Sequence, residues 1–371
     1  MGDSPPLESF ERGNISTAYL YCYLQALDTA KHFPLLPAKP IMTRAGHLGY
    51  SALMQRISTD MLTVELADPA CYGAAIWMVF GGGLRRTMAG RLAAILQAQR
   101  QGKVSFEGLF VARRGERIVG AVWGTEQPGR FATVWPARVM PSEAPAVAKL
   151  LQQSVIQYLA GLDISLAQSL IASDALSDQR LLEEAGFQSV THLEYLFLQA
   201  AQTRADLAQP ALKGVPYAQT EDAAPDLIAT YPGTLDCPEF DGLRPIQDVI
   251  AGYRDTGAFE LSLWQRLEFN GQPAGVMILA PTPDFQHLEI VYLGLRPEMR
   301  NQGLGKAAVQ LALAEAQKRG IDRLVLAVDQ RNEPAIRSYS ASGFLGYETR
   351  RLMVGRVNDA ASISKTAHSA T

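Results

Sequence analysis

The sequence predicts an α/β (α+β) protein built from two similar domains in tandem. Segments rich in β-branched and aromatic residues alternate with segments whose apolar residues recur at helical spacing. The length of 371 residues exceeds one typical hydrophobic core and accommodates two units of about 150 residues. Two landmarks also recur at a nearly constant offset, which predicts an internal duplication. The matched segments are Val139-Met140-Pro141 with Leu295-Arg296-Pro297 at an offset of 156, and Ala185-Gly186-Phe187 with Ser342-Gly343-Phe344 at 157.

The domain boundaries follow from this duplication. Residues 1–53 have no counterpart in the second copy and are predicted to be an irregular N-terminal extension, with Met54 as an alternative start. Residues 54–205 are the predicted first repeat, and residues 206–357 are the predicted second repeat. The Ala- and Ser-rich segment 358–371 is predicted to be a flexible tail.

The elements of the first repeat are predicted from local patterns. Gly81-Gly82-Gly83 is interpreted as a turn before a helix-like run over residues 84–101. Residues 108–123 alternate around the turn Arg114-Gly115-Glu116 and predict a β-hairpin.

The second repeat begins with a predicted strand at Val215-Pro216-Tyr217, and residues 261–280 predict a hairpin around Asn270-Gly271. Residues 288–295 (LEIVYLGL) then predict a buried strand that stops at Arg296-Pro297. The remaining elements are a helix from Gly303 with a C-terminal stop at Gly320, a strand over residues 324–328 and a short helix over residues 334–342.

The loop Arg300-Asn301-Gln302-Gly303-Leu304-Gly305 joins that strand to the long helix. Glycines let a backbone approach a ligand closely, and the first N–H groups of a helix have no partner inside it. Such a loop binds pyrophosphate oxygens well, and Arg300 and Lys306 add positive charge. Without its neighbourhood, the loop is equally typical of a tight left-handed turn.

The pattern Arg-x-x-Gly-x-Gly after this strand resembles the acetyl-CoA loop of the GNAT superfamily of N-acetyltransferases. Downstream, the order of a strand, Asn332, a helix containing Tyr339 and then Gly343-Phe344 continues the resemblance over about 65 residues. The resemblance implies two tandem GNAT folds, each a mixed, mainly antiparallel sheet with a bulged central strand flanked by helices. It also implies acetyl-CoA as co-substrate, no metal, and direct attack by a primary amine of a small molecule or peptide.

The resemblance further implies roles for individual residues. Glu289 matches the strand glutamate that acts as general base, although waters or His287 on the same face are alternatives, and a solvent-facing carboxylate is the structural alternative. Tyr339 matches the tyrosine that protonates the leaving thiolate, against the alternative of core packing. Asn332 matches an asparagine that binds the pantetheine arm, caps the helix, or does both. The implied cofactor-binding residues are Leu293, Gly294, Leu295, Arg300, Asn301, Gln302, Gly303, Leu304, Gly305, Lys306 and Asn332.

The first repeat lacks these residues at the matching positions. Side chains such as valine and lysine do not adopt a left-handed backbone cheaply, so this copy is predicted not to cradle pyrophosphate. We therefore expect a degenerate first repeat that is structural or walls the substrate cleft, and a catalytic second repeat. This arrangement is similar in architecture to the mycothiol synthases. The replacements are Thr133 for Glu289, Ala144 for Arg300, Val147 and Lys149 for the two loop glycines, Ala175 for Asn332 and Leu182 for Tyr339.

Acidic residues between Tyr231 and Gly242 leave two interpretations open. Asp236, Glu239 and Asp241 either recognise a cationic acceptor amine or simply build a loop before a helix that starts near Arg244-Pro245.

Composition bounds the partners. The net charge is −3 and no basic run is present, so nucleic acid is not an expected partner. No run of about 18 apolar residues predicts a membrane span, and the apolar segment 15–27 lacks a signal-peptide cleavage pattern. Three distant cysteines suggest neither a disulfide framework nor a metal site, and they fit a cytoplasmic location.

Two functional classes remain: a catalytic N-acetyltransferase, and a non-catalytic module that binds acetyl-CoA as a regulatory or structural ligand. We expect a monomer or a homodimer.

Overall fold

The computed structural model describes residues 61–80, 86–102, 104–205, 211–282 and 286–357. The predicted extension, the alternative start at Met54, the triple-glycine turn and the tail lie outside these residues. The proposed boundary at 205/206 adjoins a segment that is not described, so the domain limits stay a prediction.

The first repeat supplies seven strands and four helices among the described residues. The strands are β1 (Leu62–Leu66), β2 (Leu109–Arg114), β3 (Arg117–Gln127), β4 (Phe131–Val134), β5 (Arg138–Val139), β6 (Leu166–Ala172) and β7 (Gln188–Gln199). The helices are α1 (Tyr72–Val79), α2 (Arg86–Arg100), α3 (Pro145–Ala160) and α4 (Leu176–Glu184).

The second repeat repeats this order. Its strands are β8 (Leu212–Pro216), β9 (Trp264–Phe269), β10 (Gln272–Thr282), β11 (His287–Leu295), β12 (Arg323–Asp329) and β13 (Leu345–Arg356). It has one continuous strand, β11, where the first repeat has the two strands β4 and β5. Its helices are α5 (Ala224–Thr230), α6 (Ile246–Arg254), α7 (Leu304–Lys318) and α8 (Glu333–Ala341).

The duplication is visible in the element boundaries. Three elements of the second repeat match elements of the first repeat at the same offset of 157 residues and with equal lengths. The matched pairs are β6 with β12, α4 with α8, and β7 with β13. The hairpin turns lie where the sequence predicts them. In the second hairpin, Asn270 and Gly271 have φ angles of 51° and 73°, the left-handed geometry that a two-residue turn requires.

Both repeats contribute to one continuous sheet. The strand order is β1-β2-β3-β4-β6-β13-β7-β12-β11-β10-β9-β8, with β5 paired to β3. Within it, β4–β6 and β11–β12 are parallel and the other pairs are antiparallel. The predicted mixed, mainly antiparallel α/β fold is therefore confirmed.

The last strand of each repeat lies in the other repeat's part of the sheet, which the sequence did not indicate. Strand β13 pairs with β6 of the first repeat, β7 pairs with β12 of the second, and β7 and β13 pair with each other at the centre. Each repeat thus completes the sheet of the other.

The hydrophobic core has one main cluster in each repeat. In the second repeat, α7 and α8 cover the face of β11 and β12 that carries Leu288, Ile290 and Leu326. Strand β11 contributes Val291 and Tyr292 to a separate cluster formed with α5 and α6. Helices on both faces of β11 hold this strand firmly, and the site lies where it diverges from its neighbour.

The first repeat also contacts the helix that faces this site. The Arg130 guanidinium pairs with Asp248 of α6 at 2.8 Å, and Arg244 donates to the carbonyl of Gly129 at 2.8 Å. The turn at Gly129 and helix α6 lie so close together that a Cβ on Gly129 would be 2.0 Å from the Asp248 carbonyl oxygen. This turn of the first repeat therefore fixes the position of α6.

Candidate active site

The site begins at a break in strand pairing. Strand β11 pairs with β12 only from His287 to Glu289, while it continues along β10 to Leu295. The β10–β11 register also shifts between Ile278 and Leu279, the mark of a β-bulge that bends a strand. From Ile290 onward β11 diverges from β12, so a cleft opens between them.

A cavity of about 900 Å³ occupies this cleft and extends between the helices. Ten of the thirteen residues predicted for the site line it: Leu293, Gly294, Leu295, Arg300, Asn301, Gly303, Gly305, Lys306, Asn332 and Tyr339. Glu289, Gln302 and Leu304 are not part of its lining.

The N-terminus of α7 opens into the cavity. Gly303 precedes the helix with φ of 75°, Asn301 has φ of 60°, and no side chain of the described residues caps the helix. A Cβ on Gly303 would meet no atom within 4 Å, so the loop backbone is accessible. The unpartnered N–H groups, the positive end of the helix dipole and the exposed Lys306 fit a phosphate group.

Arg300 is used differently from the simple phosphate contact suggested by the sequence. Its guanidinium donates to the carbonyls of Leu295, Gly233 and Thr230 at 3.1, 2.9 and 2.8 Å. It thereby joins the end of β11 to the end of α5. A direct phosphate contact by Arg300 stays a prediction.

Two loop residues point to local roles. The Gln302 amide donates to the carbonyl of Glu298 at 2.8 Å, and Leu304 is 1% exposed in the core beneath α7. Both side chains stabilise the loop. The predicted contact of these residues with the cofactor would therefore be made by their backbone groups, and it stays a prediction.

Tyr339 lines the cavity from α8. Its side chain is 8% exposed, and its ring lies 5.6 Å from that of Phe344. Burial, with a smaller contribution from the Asp236 carboxylate, raises the pKa of the Tyr339 phenol above its usual value. The phenol therefore keeps its proton at neutral pH and can donate it. Packing and proton donation, the two alternatives for this residue, are compatible here.

Glu289 lies at the apex of the cleft. It is the last residue of β11 that pairs with β12, opposite Val325, and its partner on β10 is Ala280. Desolvation by these apolar surroundings raises the pKa of its carboxyl to about 7, although the side chain stays partly exposed. A base is most effective when its pKa is near the working pH.

His287, the alternative base, is 6% exposed and lies outside the cavity lining. Burial and the nearby Arg323 lower its pKa to about 4, so it is neutral at pH 7. Glu289 is likewise outside the lining but adjoins the point where the strands separate, and its role as base stays a prediction.

Asn332 caps α8, as one of its predicted roles requires. Its side-chain oxygen accepts a hydrogen bond from the N–H of Ala335 at 3.3 Å, and the residue also lines the cavity. The capping role is confirmed, while contact with pantetheine stays a prediction.

The acidic loop before α6 divides into structural and cavity-facing parts. Glu239 forms a two-point pair with Arg331 at 2.5 and 2.8 Å, and Arg331 also pairs with the buried Asp329. Asp236 and Asp241 line the cavity, whereas Glu239 does not. The alternative in which all three acids act together on a substrate is therefore not supported, and the predicted helix begins at Ile246.

Three tyrosines that sequence reasoning passed over also line the cavity. Tyr231, Tyr253 and Tyr292 line the cavity, and the rings of Tyr253 and Tyr292 lie 5.5 Å apart. The Tyr292 hydroxyl is 2.5 Å from the Thr230 hydroxyl. A Cβ on Gly294 would lie 2.6 Å from the Tyr292 hydroxyl, which explains why the bulged strand needs glycine there. Tyr231 adjoins the acidic loop in the sequence, whereas Tyr253 and Tyr292 carry no sequence signal that could have identified them as lining residues.

Among the described residues, no group of three or more potential ligands could hold a metal ion. In the same part of the chain, no helix is long and apolar enough to cross a membrane.

Comparison with known proteins places the site within a known family profile. Residues 231–344 match the Acetyltransferase (GNAT) family, and this segment contains the loop, Glu289 and Tyr339. The chain is 41% identical over 56 residues to a mycothiol acetyltransferase of Thermobispora bispora, covering 15% of this chain and 19% of that protein. It is 36% identical over 61 residues to one of Streptomyces coelicolor, covering 16% and 20%. The chain thus matches about a fifth of the length of these relatives.

Solved structures resemble the chain over a larger part of its length. A GCN5-related N-acetyltransferase from Sphaerobacter thermophilus has a TM-score of 0.55 at 14% identity, covering 80% of this chain and 96% of that one. A GCN5-related glucosamine N-acetyltransferase region of a fungal β-N-acetylglucosaminidase has the same TM-score and identity, covering 80% and 38%. At this identity they show the fold alone.

Proposed function

We propose that this chain, whose residues 231–344 match the acetyltransferase (GNAT) family, is an acetyl-CoA-dependent N-acetyltransferase. In this proposal the second repeat is the active one, and the acceptor is a primary amine of a small molecule or peptide. The observation that carries the proposal is the meeting of an uncapped α7 N-terminus, a diverging strand and Tyr339 at one cavity.

The chain's own residues suit direct attack. The amine nitrogen attacks the thioester carbonyl carbon, the C–N bond forms and the C–S bond breaks. Glu289, with a pKa raised to about 7, takes a proton from the amine, either directly or through water. Tyr339 gives its proton to the departing sulfur, the nitrogen of the intermediate loses its extra proton to solvent, and exchange with solvent restores both groups. The products are an amide and free CoA.

The α7 loop would hold the phosphates, and the diverging part of β11 would offer backbone groups to the pantetheine amides. This division of work uses the backbone more than charged side chains, because Arg300 is engaged with three carbonyls. The cytoplasmic location, inferred from the cysteines, and the monomeric or homodimeric state stay predictions.

Calorimetry of acetyl-CoA binding tests the proposal. Wild type should bind one acetyl-CoA per chain, and a Gly303→Val, Gly305→Lys variant should lose binding by at least about 100-fold. The φ of 75° at Gly303 disfavours valine, and both side chains obstruct the backbone N–H groups. Gly271→Ala, at another positive-φ turn remote from the cavity, controls for general strain.

The outcomes separate the two functional classes. Two sites per chain would contradict an inactive first repeat, and absence of binding would overturn the transferase proposal. Binding without acetyl transfer to any amine in a panel would favour the non-catalytic module instead.

A further inference from the structure

The cavity contains one acidic side chain that the proposed chemistry does not use and that the fold holds in a fixed place. Asp236 lines the cavity together with Tyr339 and Asn332. One of its carboxyl oxygens accepts a hydrogen bond from the backbone N–H of Asp329 at 2.8 Å. No described residue donates a hydrogen bond to its other oxygen, and the side chain is exposed to the cavity.

The loop that carries Asp236 is clamped to the turn that positions Tyr339. The Cys237 N–H donates to the Asp329 carboxylate at 3.0 Å, which makes the contact between loop and strand reciprocal. The backbone of Asp329 therefore binds both segments. Its N–H donates to Asp236, and its carbonyl accepts from the N–H of Asn332 at 2.8 Å, the residue that caps α8. Asp236 and Tyr339 are therefore held by the same turn.

Three aromatic rings line the same cavity as this carboxylate. Tyr231, Tyr253 and Tyr292 line the same cavity, and the field of Asp236 reaches Tyr253 and Tyr292, where it adds to the burial that raises the pKa of both phenols. The walls also desolvate Asp236 itself and raise its pKa, even though it is accessible from the cavity. Rings and a carboxylate around one space are the recognised surroundings of an alkylammonium group.

The guanidinium groups near this region have other partners, including Arg331, whose charge acts on Asp236 but which pairs with Glu239 and Asp329. Arg300 is engaged with three carbonyls, and Arg244 donates to the carbonyls of Gly129 and Asp248 while lying 4.7 Å above the ring of Phe131. Lys306 belongs to the first turn of α7. Asp241, the other lining acid, has no side-chain hydrogen bond among the described residues, so its position is not fixed.

We infer that Asp236 and the tyrosines that line the same cavity bind the protonated amine of the acceptor, which makes a compact primary ammonium with an apolar body the substrate class. This inference rests on the proposed function, because it places the acceptor beside Tyr339. In it Asp236 contacts the substrate and sets its position, and Glu289 keeps the role of base.

The test uses Asp236→Asn, because asparagine keeps the oxygen that accepts from Asp329 and removes only the charge. The matched control is Glu239→Gln, which removes one charge from the same loop at a position outside the cavity lining. The probes are 2-phenylethylamine, a cation at neutral pH, and 2-phenylethanol, a neutral molecule with the same body. Calorimetry is performed with free CoA in excess so that no turnover occurs.

We expect the amine to bind wild type and the Glu239 variant alike, and to bind the Asp236 variant at least about tenfold more weakly. The alcohol should bind all three proteins weakly and equally. The inference is overturned if wild type binds neither probe or prefers the alcohol, if the amine is insensitive to Asp236→Asn, or if Glu239→Gln weakens the amine to the same extent.

Steady-state kinetics separate this inference from the proposed function. With acetyl-CoA, Asp236→Asn should raise the KM for the amine by at least about tenfold and leave the KM for acetyl-CoA unchanged. Acetyl transfer that is insensitive to this change would sink the inference and leave the transferase standing. Asp236-dependent amine binding without acetyl transfer would overturn the transferase proposal and leave the inference on amine binding standing.

Discussion

The two repeats share a fold but differ in what fills the cleft between strand and helix. In the first repeat, Arg138 and Asp178 form a two-point ion pair at 2.5 and 2.6 Å. By the offsets of 156 and 157, the matching residues of the second repeat are Gly294 and Ala335, and both line the open cavity. An ion pair thus stands where the second repeat leaves space.

A second difference concerns the backbone of the strand. The Gln152 side chain, 1% exposed, accepts a hydrogen bond from the N–H of Ala137 at 2.9 Å. The position matching Gln152 in the second repeat is Ala308, which has no polar side chain to make this bond. The first repeat thus satisfies within itself a backbone group at the level where the second repeat is proposed to offer its strand to a ligand.

The helix start differs as well. Helix α3 begins at Pro145, about one turn earlier than the position that matches the start of α7. Val147 therefore packs in the core at 4% exposure, and Lys149 pairs with Glu184 at 3.0 Å. The comparison teaches that inserted side chains and an extended helix can occupy this level of the fold while strand order is kept.

The largest expected effect is the loss of turnover when Tyr339 of the second repeat is replaced. Tyr339→Phe should lower kcat by on the order of 100-fold and leave acetyl-CoA affinity within about twofold, because only the phenolic proton is removed. The measurement is steady-state acetyl transfer together with calorimetry. The matched control is Tyr158→Phe, a partly buried tyrosine of the first repeat that packs on Phe110. Equal rates in wild type and Tyr339→Phe would remove Tyr339 from the mechanism.

Glu289 is expected to give the next largest effect. With its pKa raised to about 7, the wild-type kcat/KM should increase as pH rises through about 7. Glu289→Gln should lack this increase and be about 10- to 100-fold slower above it. Ionisation of the amine affects both proteins equally, so the ratio of their profiles isolates the carboxyl. Thr133→Ala, at the matching position of the first repeat, should change neither profile.

The same carboxyl gives an independent check on stability. An unfolded glutamate titrates near ~4.3, so a folded pKa of about 7 means that the native state is progressively destabilised as pH rises from about 4 to 7. Glu289→Gln should therefore raise the free energy of unfolding at pH 8 relative to wild type and leave it nearly unchanged at pH 4. Equal free energies of unfolding for wild type and Glu289→Gln at pH 8 would show that burial does not raise the pKa of the Glu289 carboxyl.

The local elements could be predicted from the sequence because their causes are local. Alternation around Asn270-Gly271 marks a hairpin, and the helical period after Gly303 marks α7, whatever the rest of the chain does. The position of the cleft could be inferred for the same reason, since it follows a single strand-loop-helix unit.

The exchanged strands and the use of Arg300 could not be predicted. In a duplicated chain, β7 and β13 have equivalent patterns, and their partners depend on contacts between distant segments. An arginine beside a glycine loop has the same sequence signature whether it faces a phosphate or the carbonyls of Thr230 and Gly233. The Asp236–Asp329 contact likewise joins residues 93 positions apart.

The smallest expected effect concerns the ion pair that closes the first repeat. Asp178 is 13% exposed, so Asp178→Ala leaves Arg138 partly buried without its partner and should lower the free energy of unfolding by about 1–3 kcal/mol. Glu184→Ala breaks the Lys149–Glu184 pair, in which both side chains are 52% exposed. This change should lower the free energy of unfolding by less than about 1 kcal/mol. Chemical denaturation measures both.

Neither variant should change the stoichiometry of acetyl-CoA binding. Removing the ion pair empties the space next to Arg138, but α3 still starts at Pro145 and supplies no glycine loop for phosphates. One site per chain in Asp178→Ala would therefore show that the first repeat lost its ligand in more than one way. A second site in this variant would show instead that the ion pair alone closes the cleft.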